Sequence, residues 1–389
     1  MLNLNKNVVA ISLVSFFTDF SSSMVTTILP LFIVYILKED VDKLGYITGI
    51  ATFTSYIFRI LFGYLSDKYN KTKPFLILGY SISTFTKPLF AFSHSWKDIA
   101  LLRSIERLGK AIRSAPKDVL ISFYSKKESG KAFGFQKMLD MAGNMFGALS
   151  VFLILYFFGK TENIFKSIFL LTIIPGLIAL LILLFFVEDI KKDKKEKRKK
   201  ISLKEENYFI YLILFSYFFS MFFMLKKPFF IVKAKDFIDI TYIPLLVILL
   251  YFIQSISSYI FGVSIDKYGW APFFILSLVF GILSIIFLSF GKIIFAFVFL
   301  ALFLIASTNS IKVFISKHSK NKGIIFGIFY AGTAIFSSLG AIVTGIIWKN
   351  FGFKMATKFS IFGLIFTLFF SIFVLRFFII KNKLEVNHE

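Results

Sequence analysis

Gly63-Tyr-Leu-Ser-Asp67-Lys68-Tyr69, followed by Asn70-Lys71-Thr72-Lys73, closes one apolar stretch, and Gly262-Val-Ser-Ile-Asp266-Lys267-Tyr268 closes another in the second half of the chain. Each copy sets a glycine, a carboxylate and a cation at the end of an apolar segment. A second match follows in the same order: Gly130-Lys-Ala-Phe133-Gly134 and Gly323-Ile-Ile-Phe326-Gly327 each open a further apolar segment. Ordered matches of this kind indicate a duplicated chain.

Apolar residues make up 57% of 389, and the mean hydropathy is +0.79. Uninterrupted runs such as Ile168 to Val187 have the length that a bilayer-spanning helix needs. The alternating pattern of a membrane barrel is not visible, so the spans are read as helices. The sequence predicts an all-α membrane protein of about twelve transmembrane helices in two pseudo-symmetric six-helix bundles. The expected spans are 8–36, 44–66, 74–94, 97–122, 131–158, 164–187, 208–231, 242–265, 271–290, 292–316, 323–348 and 354–380. A first bundle (1–187), a basic cytoplasmic linker (188–207) and a second bundle (208–389) follow from them.

An even number of spans puts both termini on one side. Roughly two dozen lysines and arginines lie on that side against about eleven on the other, so the termini are expected in the cytoplasm of a cell with the chain in its inner membrane. The apolar run from Val8 is too long for a cleaved signal and lacks a small-residue cleavage site, so it is read as the first span. Trp96, Trp270 and Trp348 all fall at expected span ends, where an indole keeps its N–H wet.

The net charge of +23 is spread over helix ends apart from one run at 191–200, which is read as a solvated linker near anionic lipid and not as a nucleic-acid site. Cysteine is absent, and His94, His318 and His388 are dispersed. Thiolate metal ligands, a cysteine nucleophile and a zinc-type histidine pair are thereby excluded, and no nucleotide-binding loop is present. The expected partners are the bilayer and a small-molecule substrate, with no cofactor beyond a proton gradient and a monomeric chain.

Gly63 to Lys73 resembles the signature between the second and third helices of the major facilitator superfamily, G-x-x-x-D-(R/K)-x-G-(R/K)-x-(R/K), with Asn70 at the second glycine. Arg103 to Pro116 resembles the R-x-x-x-G signature of its fourth helix, and Gly130 to Ala148 is similar to its fifth. The resemblance covers nearly the whole chain. It implies alternating access by two rocking bundles, with a substrate site at mid-membrane between them. Gly143-Asn-Met-Phe-Gly147 partly resembles the fifth-helix signature of drug–proton antiporters, with Ala148 where that signature has proline; helix packing explains these glycines equally.

In that architecture Asp67 is expected to meet the start of helix eleven. A carboxylate against a helix N-terminus contributes about 0.3–1 kcal/mol, which makes Gly63, Asp67, Lys68, Lys71 and Lys73 a candidate gating motif. Gly262, Asp266 and Lys267 form its counterpart, with Asp266 expected near Lys131 on helix five. The alternative is that both aspartates simply cap tight loops.

Ionisable groups at membrane depth are costly and become functional candidates. Asp19, Glu106 and Asp140 sit near mid-span on helices one, four and five and are candidate proton carriers. On helix four, Arg103, Glu106, Arg107, Lys110 and Arg113 follow helical spacing and form one charged stripe. Arg59, Arg103, Arg107 and Lys110 are candidate substrate-cavity cations, whereas Lys87, Lys137 and Arg113 are expected to reach out to water. The bland reading pairs Asp19 with Arg59, and Glu106 with Arg103 or Lys110. In the second half Gln254, Asn309 and Tyr330 are candidate cavity residues beside Ser255, Ser307, Thr308 and Thr333. Lys226 and Lys227 are expected at the outer end of helix seven, away from the site.

The functional expectation is a proton-coupled secondary transporter, an antiporter of drug-like or amphiphilic molecules with export favoured. The alternatives are a carrier of organic anions or phosphorylated compounds, and a receptor or lipid scramblase on the same scaffold.

Overall fold

The computed structural model describes residues 5–69, 72–125, 129–190, 208–319 and 322–386; the side chains of 60, 63–69, 129–131, 322–323 and 378–386 fall outside that description. Among the described residues there is no strand. In chain order the helices are α1 (Lys6–Ile36), α2 (Val41–Tyr69), α3 (Lys73–Phe92), α4 (Trp96–Ser125), α5 (Ser129–Phe158), α6 (Glu162–Phe186), α7 (Tyr208–Ala234), α8 (Ile240–Tyr268), α9 (Trp270–Ser289) and α10 (Ile293–His318). The last helical run, Lys322–Val386, breaks at Gly352, whose φ of 81° is open to glycine, and so supplies α11 (322–351) and α12 (353–386). Gly159, with φ of 87°, makes the matching break between α5 and α6. The twelve spans expected from sequence are present.

Local chemistry explains the boundaries. Ser95 and Asp98 cap α4 reciprocally: Asp98 Oδ2 accepts from the backbone N–H of Ser95 at 3.0 Å, and Ser95 Oγ accepts from that of Asp98 at 3.4 Å. Pro74 sits in the first turn of α3, where its missing N–H costs nothing. In α7 the helix stops after Phe223 and restarts at Lys227, just before Pro228. The amine of Lys226 turns back into that break and donates to the carbonyl of Met221.

The described residues fall into two compact units, one within Met1–Glu196 and Ile231–Phe252, the other within Lys197–Phe230 and Ile253–Glu389. The packing inside each repeats. In the first unit α5 lies against α1: a Cβ on Gly143 would strike the carbonyl of Phe16, and one on Gly147 that of Phe20. In the second, α11 lies against α7, and a Cβ on Gly340 would strike the carbonyl of Phe222. Glycine brings the same pair of helices into backbone contact in both halves. A core of Val8, Ile11, Val14, Leu76, Leu120 and Leu183 fills the first unit near the ends of its helices. Phe185 (77% exposed), Phe157 and Phe373 stand out from the helices, as side chains do that face lipid instead of water.

Candidate functional site

The site grows from the inward face of α4. Residues 103, 106, 107, 110, 113, 114 and 117 recur at helical spacing, which turns one polar stripe toward α1, α2, α3 and α5. Buried charge in hydrocarbon is costly unless paired or hydrogen-bonded, and most of the stripe is satisfied in that way.

At one end, Arg103 Nη1 donates to Glu106 Oε2 at 2.6 Å, and Arg107 Nε lies 3.4 Å from the same oxygen. Glu106 is fully buried and clamped by two guanidinium groups. Further along, Arg113 is 5% exposed: it donates to Ser83 Oγ at 2.6 Å and lies over the ring of Tyr80, 4.5 Å from its centroid. The expectation that Arg113 reaches water is therefore corrected, because α3 packs against this turn and offers it a hydroxyl and an aromatic face. Lys87 is corrected in the same way. It is 0% exposed and donates to the carbonyl of Thr18 at 3.3 Å and to Ser21 Oγ at 3.1 Å. Lys137 is exposed, as expected.

Beyond Arg113 the stripe opens onto a cavity of about 70 Å³. Asp19, Ser15 and Thr18 of α1, Lys110, Arg113 and Lys117 of α4, and Asp140 of α5 contribute to its wall. Lys117 Nζ lies 3.9 Å from Asp140 Oδ2 and donates to Ser15 Oγ at 3.2 Å. Gln136 Nε2 donates to the other carboxylate oxygen, Oδ1, at 2.6 Å. Asn144 Nδ2 donates to the backbone carbonyl of Asp140 at 2.7 Å and to Asp19 Oδ2 at 3.4 Å, joining the two acidic positions. The close approach of α5 to α1 at Gly143 and Gly147 holds them within reach of one amide. The volume suits a few waters and is far below the roughly 300–1,000 Å³ of a drug-sized pocket.

The expected partnerships are partly rearranged. Glu106 takes Arg103, as one reading had it, together with Arg107. Asp19 does not take Arg59: Arg59 Nη2 donates to Ser114 Oγ at 3.3 Å and its guanidinium lies 5.5 Å from the Tyr56 ring centroid. Lys117, Gln136 and Asn144 join the contacts around the cavity although the sequence did not single them out; Lys117 stands one turn beyond the stripe's last named member, and this spacing was the available signal.

In the second unit Gln254 is buried on α8, Asn309 is half-buried on α10, and Tyr330 on α11 packs against Phe329, with centroids 5.1 Å apart. Ser307 is fully buried, and its Oγ has no hydrogen-bond partner among the described residues. Lys226 is half-buried within the break in α7.

Of the signature loop, the side chains of Gly63, Asp67 and Lys68, with Lys71, lie outside the described residues, as do those of Gly130, Lys131 and Gly323 and the whole of 191–207. Lys73 is described: its Nζ donates to the carbonyl of Leu184 at 2.9 Å and its backbone N–H to Asp189 Oδ1 at 3.0 Å, fastening α3 to the end of α6. In the second copy, Asp266 pairs with Lys317 at 3.8 Å with both side chains exposed, Lys267 lies over the Tyr268 ring, and a Cβ on Gly262 would meet open space. Away from the cavity, Lys160, in the loop joining α5 and α6, pairs with Asp239, in the loop before α8. That contact, with the Thr241 backbone N–H donating at 2.9 Å, pulls the Asp239 carboxyl down to about 2.

A helical chain with twelve spans, a repeated half and a charged, water-sized cavity within one half defines a polytopic membrane transporter. Residues 11–237 match the family model of the Major Facilitator Superfamily, and the chain belongs to that family. It is 31% identical over 360 residues to an uncharacterised MFS-type transporter of Methanocaldococcus jannaschii, a match covering 89% of each chain. Among solved structures it is similar to the nucleoside transporter NupG, with a TM-score of 0.70, 14% identity and coverage of 96% of this chain and 99% of that one. It is also similar to the tetrameric PepTSo2, with a TM-score of 0.77, 12% identity and coverage of 97% and 99%. These distant structures share the fold. The protein is a secondary transporter of small molecules, multi-pass in the membrane, and not an enzyme.

Proposed function

We propose that this transporter is driven by protons through Asp140 and Asp19. The observation that supports the reading is the cavity in which Lys117 faces Asp140 while Asn144 links Asp140 to Asp19. A proton arriving on Asp140 cancels the charge that holds Lys117 and frees the lysine for another anion. Departure of the proton restores the pair. Carboxylate and lysine on different helices thus couple one protonation to a relative movement of α4 and α5. Glu106 is set aside as a carrier, because two guanidinium groups already occupy its Oε2.

The cargo proposed is an amphiphilic organic molecule, exported in exchange for protons by a monomer whose termini lie in the cytoplasm. The basic face of α4 favours a second form of this reading, in which the cargo carries an anionic group. The gating motif around Asp67 is proposed to latch the side on which the termini lie. Because the chain has no cysteine, accessibility labelling of single introduced cysteines tests the latch directly: Asp67→Asn should increase opening on that side, and unchanged labelling contradicts it. Proton movement in proteoliposomes tests the coupling.

A further inference from the structure

We propose that Lys110 is the residue that holds the anionic group of the cargo, a phosphate or carboxylate; the proposal rests on the transporter reading above and deepens it. It follows from the distribution of partners along the stripe. Arg103 and Arg107 share Glu106, Arg113 has Ser83 and the Tyr80 ring, Arg59 reaches Ser114, and Lys117 has Asp140 and Ser15. Lys87, outside the stripe, is held by Thr18 and Ser21.

Lys110 differs from all of them. It lines the cavity, is half-buried, and its Nζ has no carboxylate within 4.0 Å and no hydrogen-bond partner among the described residues. Its one local tie is through its backbone carbonyl, which accepts from Ser114 Oγ at 2.6 Å. A cation at membrane depth with no carboxylate in direct contact is costly, so the fold keeps it there at the expense of stability. The cavity wall as a whole has the same sense: Lys110, Arg113 and Lys117 against Asp19 and Asp140 leave one positive charge over. A singly charged anionic head cancels that excess and supplies the acceptor Lys110 lacks. The cavity volume of about 70 Å³ admits such a head and leaves no room for the body of the molecule, which must extend elsewhere.

A phosphate head can come from a soluble organic phosphate or from a lysolipid. The experiment therefore measures stabilisation of the purified full-length chain by butyl phosphate, by lysophosphatidic acid and by the lipophilic cation tetraphenylphosphonium. Wild type, Lys110→Gln, Lys110→Arg and, as a control distant from the cavity, Lys166→Gln are compared. At least one of the two anions should stabilise wild type, Lys166→Gln and Lys110→Arg. Lys110→Gln should need about tenfold to a hundredfold more anion for the same effect, the size expected for one charge-assisted hydrogen bond. Without ligand, Lys110→Gln should be at least as stable as wild type, whereas a structural lysine would show a loss. Response to butyl phosphate alone assigns a soluble cargo, and response to lysophosphatidic acid assigns a lipid.

Equal anion response in Lys110→Gln, or stabilisation of wild type by the cation and by neither anion, overturns the assignment. Proton movement is scored on the same preparations in proteoliposomes. Cargo-driven proton movement together with unchanged anion binding in Lys110→Gln removes Lys110 only. Absence of proton movement with every compound removes the coupling reading and leaves the binding result standing.

Discussion

Lys117 of α4 and Asp140 of α5 face each other across a water-sized cavity, their charged atoms 3.9 Å apart and both side chains less than one-fifth exposed. Neither is alone: Ser15 Oγ accepts a hydrogen bond from the lysine and Gln136 Nε2 donates one to the carboxylate.

If the two charges interact directly, their substitutions are not additive. Lys117→Gln and Asp140→Asn should each lower the unfolding midpoint, and the double variant should recover part of the loss. A coupling energy of about 1–3 kcal/mol is expected from such a cycle in detergent. Simple additivity would mean that the two do not sense each other.

Glu106 serves a different purpose. Removing it leaves Arg103 and Arg107 facing one another in a buried space. Glu106→Ala should therefore destabilise the protein by about 3–5 kcal/mol, the cost of an uncompensated buried charge. Glu106→Gln, which keeps an acceptor, should cost less. Thermal unfolding of the two variants distinguishes this clamp from a dispensable acid.

Glycines on α5 offer a contrast within one helix. A Cβ on Gly143 would strike the carbonyl of Phe16, whereas one on Gly134 would meet nothing within 4 Å. Gly143→Ala should cost about 1–3 kcal/mol, because backbone cannot step aside. Gly134→Ala should be neutral or stabilise by up to about 1 kcal/mol through helix propensity. Equal effects at the two positions would contradict the α1–α5 contact.

The loop pair Lys160–Asp239 predicts a pH window. The Asp239 carboxyl is held down at about 2, below its ordinary value, chiefly by the Lys160 amine and the Thr241 N–H. Its contribution to stability is then complete above the unfolded value, about 4, and lost as pH falls through the folded one. The midpoint difference between wild type and Asp239→Asn should stay constant from about pH 5 to about pH 8 and shrink only below about pH 4. A difference that changes near neutrality would point to another group.

Sequence and structure agree where apolar length decides. All twelve spans were legible because a bilayer fixes how many residues each needs, and the break at Gly352 falls within the expected gap between the last two. The matched signatures announced the repeat, and the glycine contacts at Phe16 and Phe222 repeat it in space. Partnerships were harder to read. Lys87 stands only five residues before Phe92, the end of α3, and so looked able to reach water, yet its rotamer carries it inward to α1. Distance to a helix end is written in the sequence; the direction of a long side chain is set by the neighbouring helix. For the same reason Arg59 and Asp19, plausible partners by depth, found Ser114 and Asn144. Lys226 looked like an end-of-span lysine, because nothing short of the backbone break at 224–226 reveals that it caps a carbonyl inside the helix.

The claim that Asp140 and Asp19 carry the driving proton is tested most directly in proteoliposomes with an imposed proton gradient, loaded in turn with organic anions and lipophilic cations. Wild type should dissipate the gradient when its cargo is added, and Asp140→Asn should still exchange labelled cargo while moving no protons. Undiminished cargo-driven proton movement in the Asp19→Asn, Asp140→Asn double variant would contradict the account.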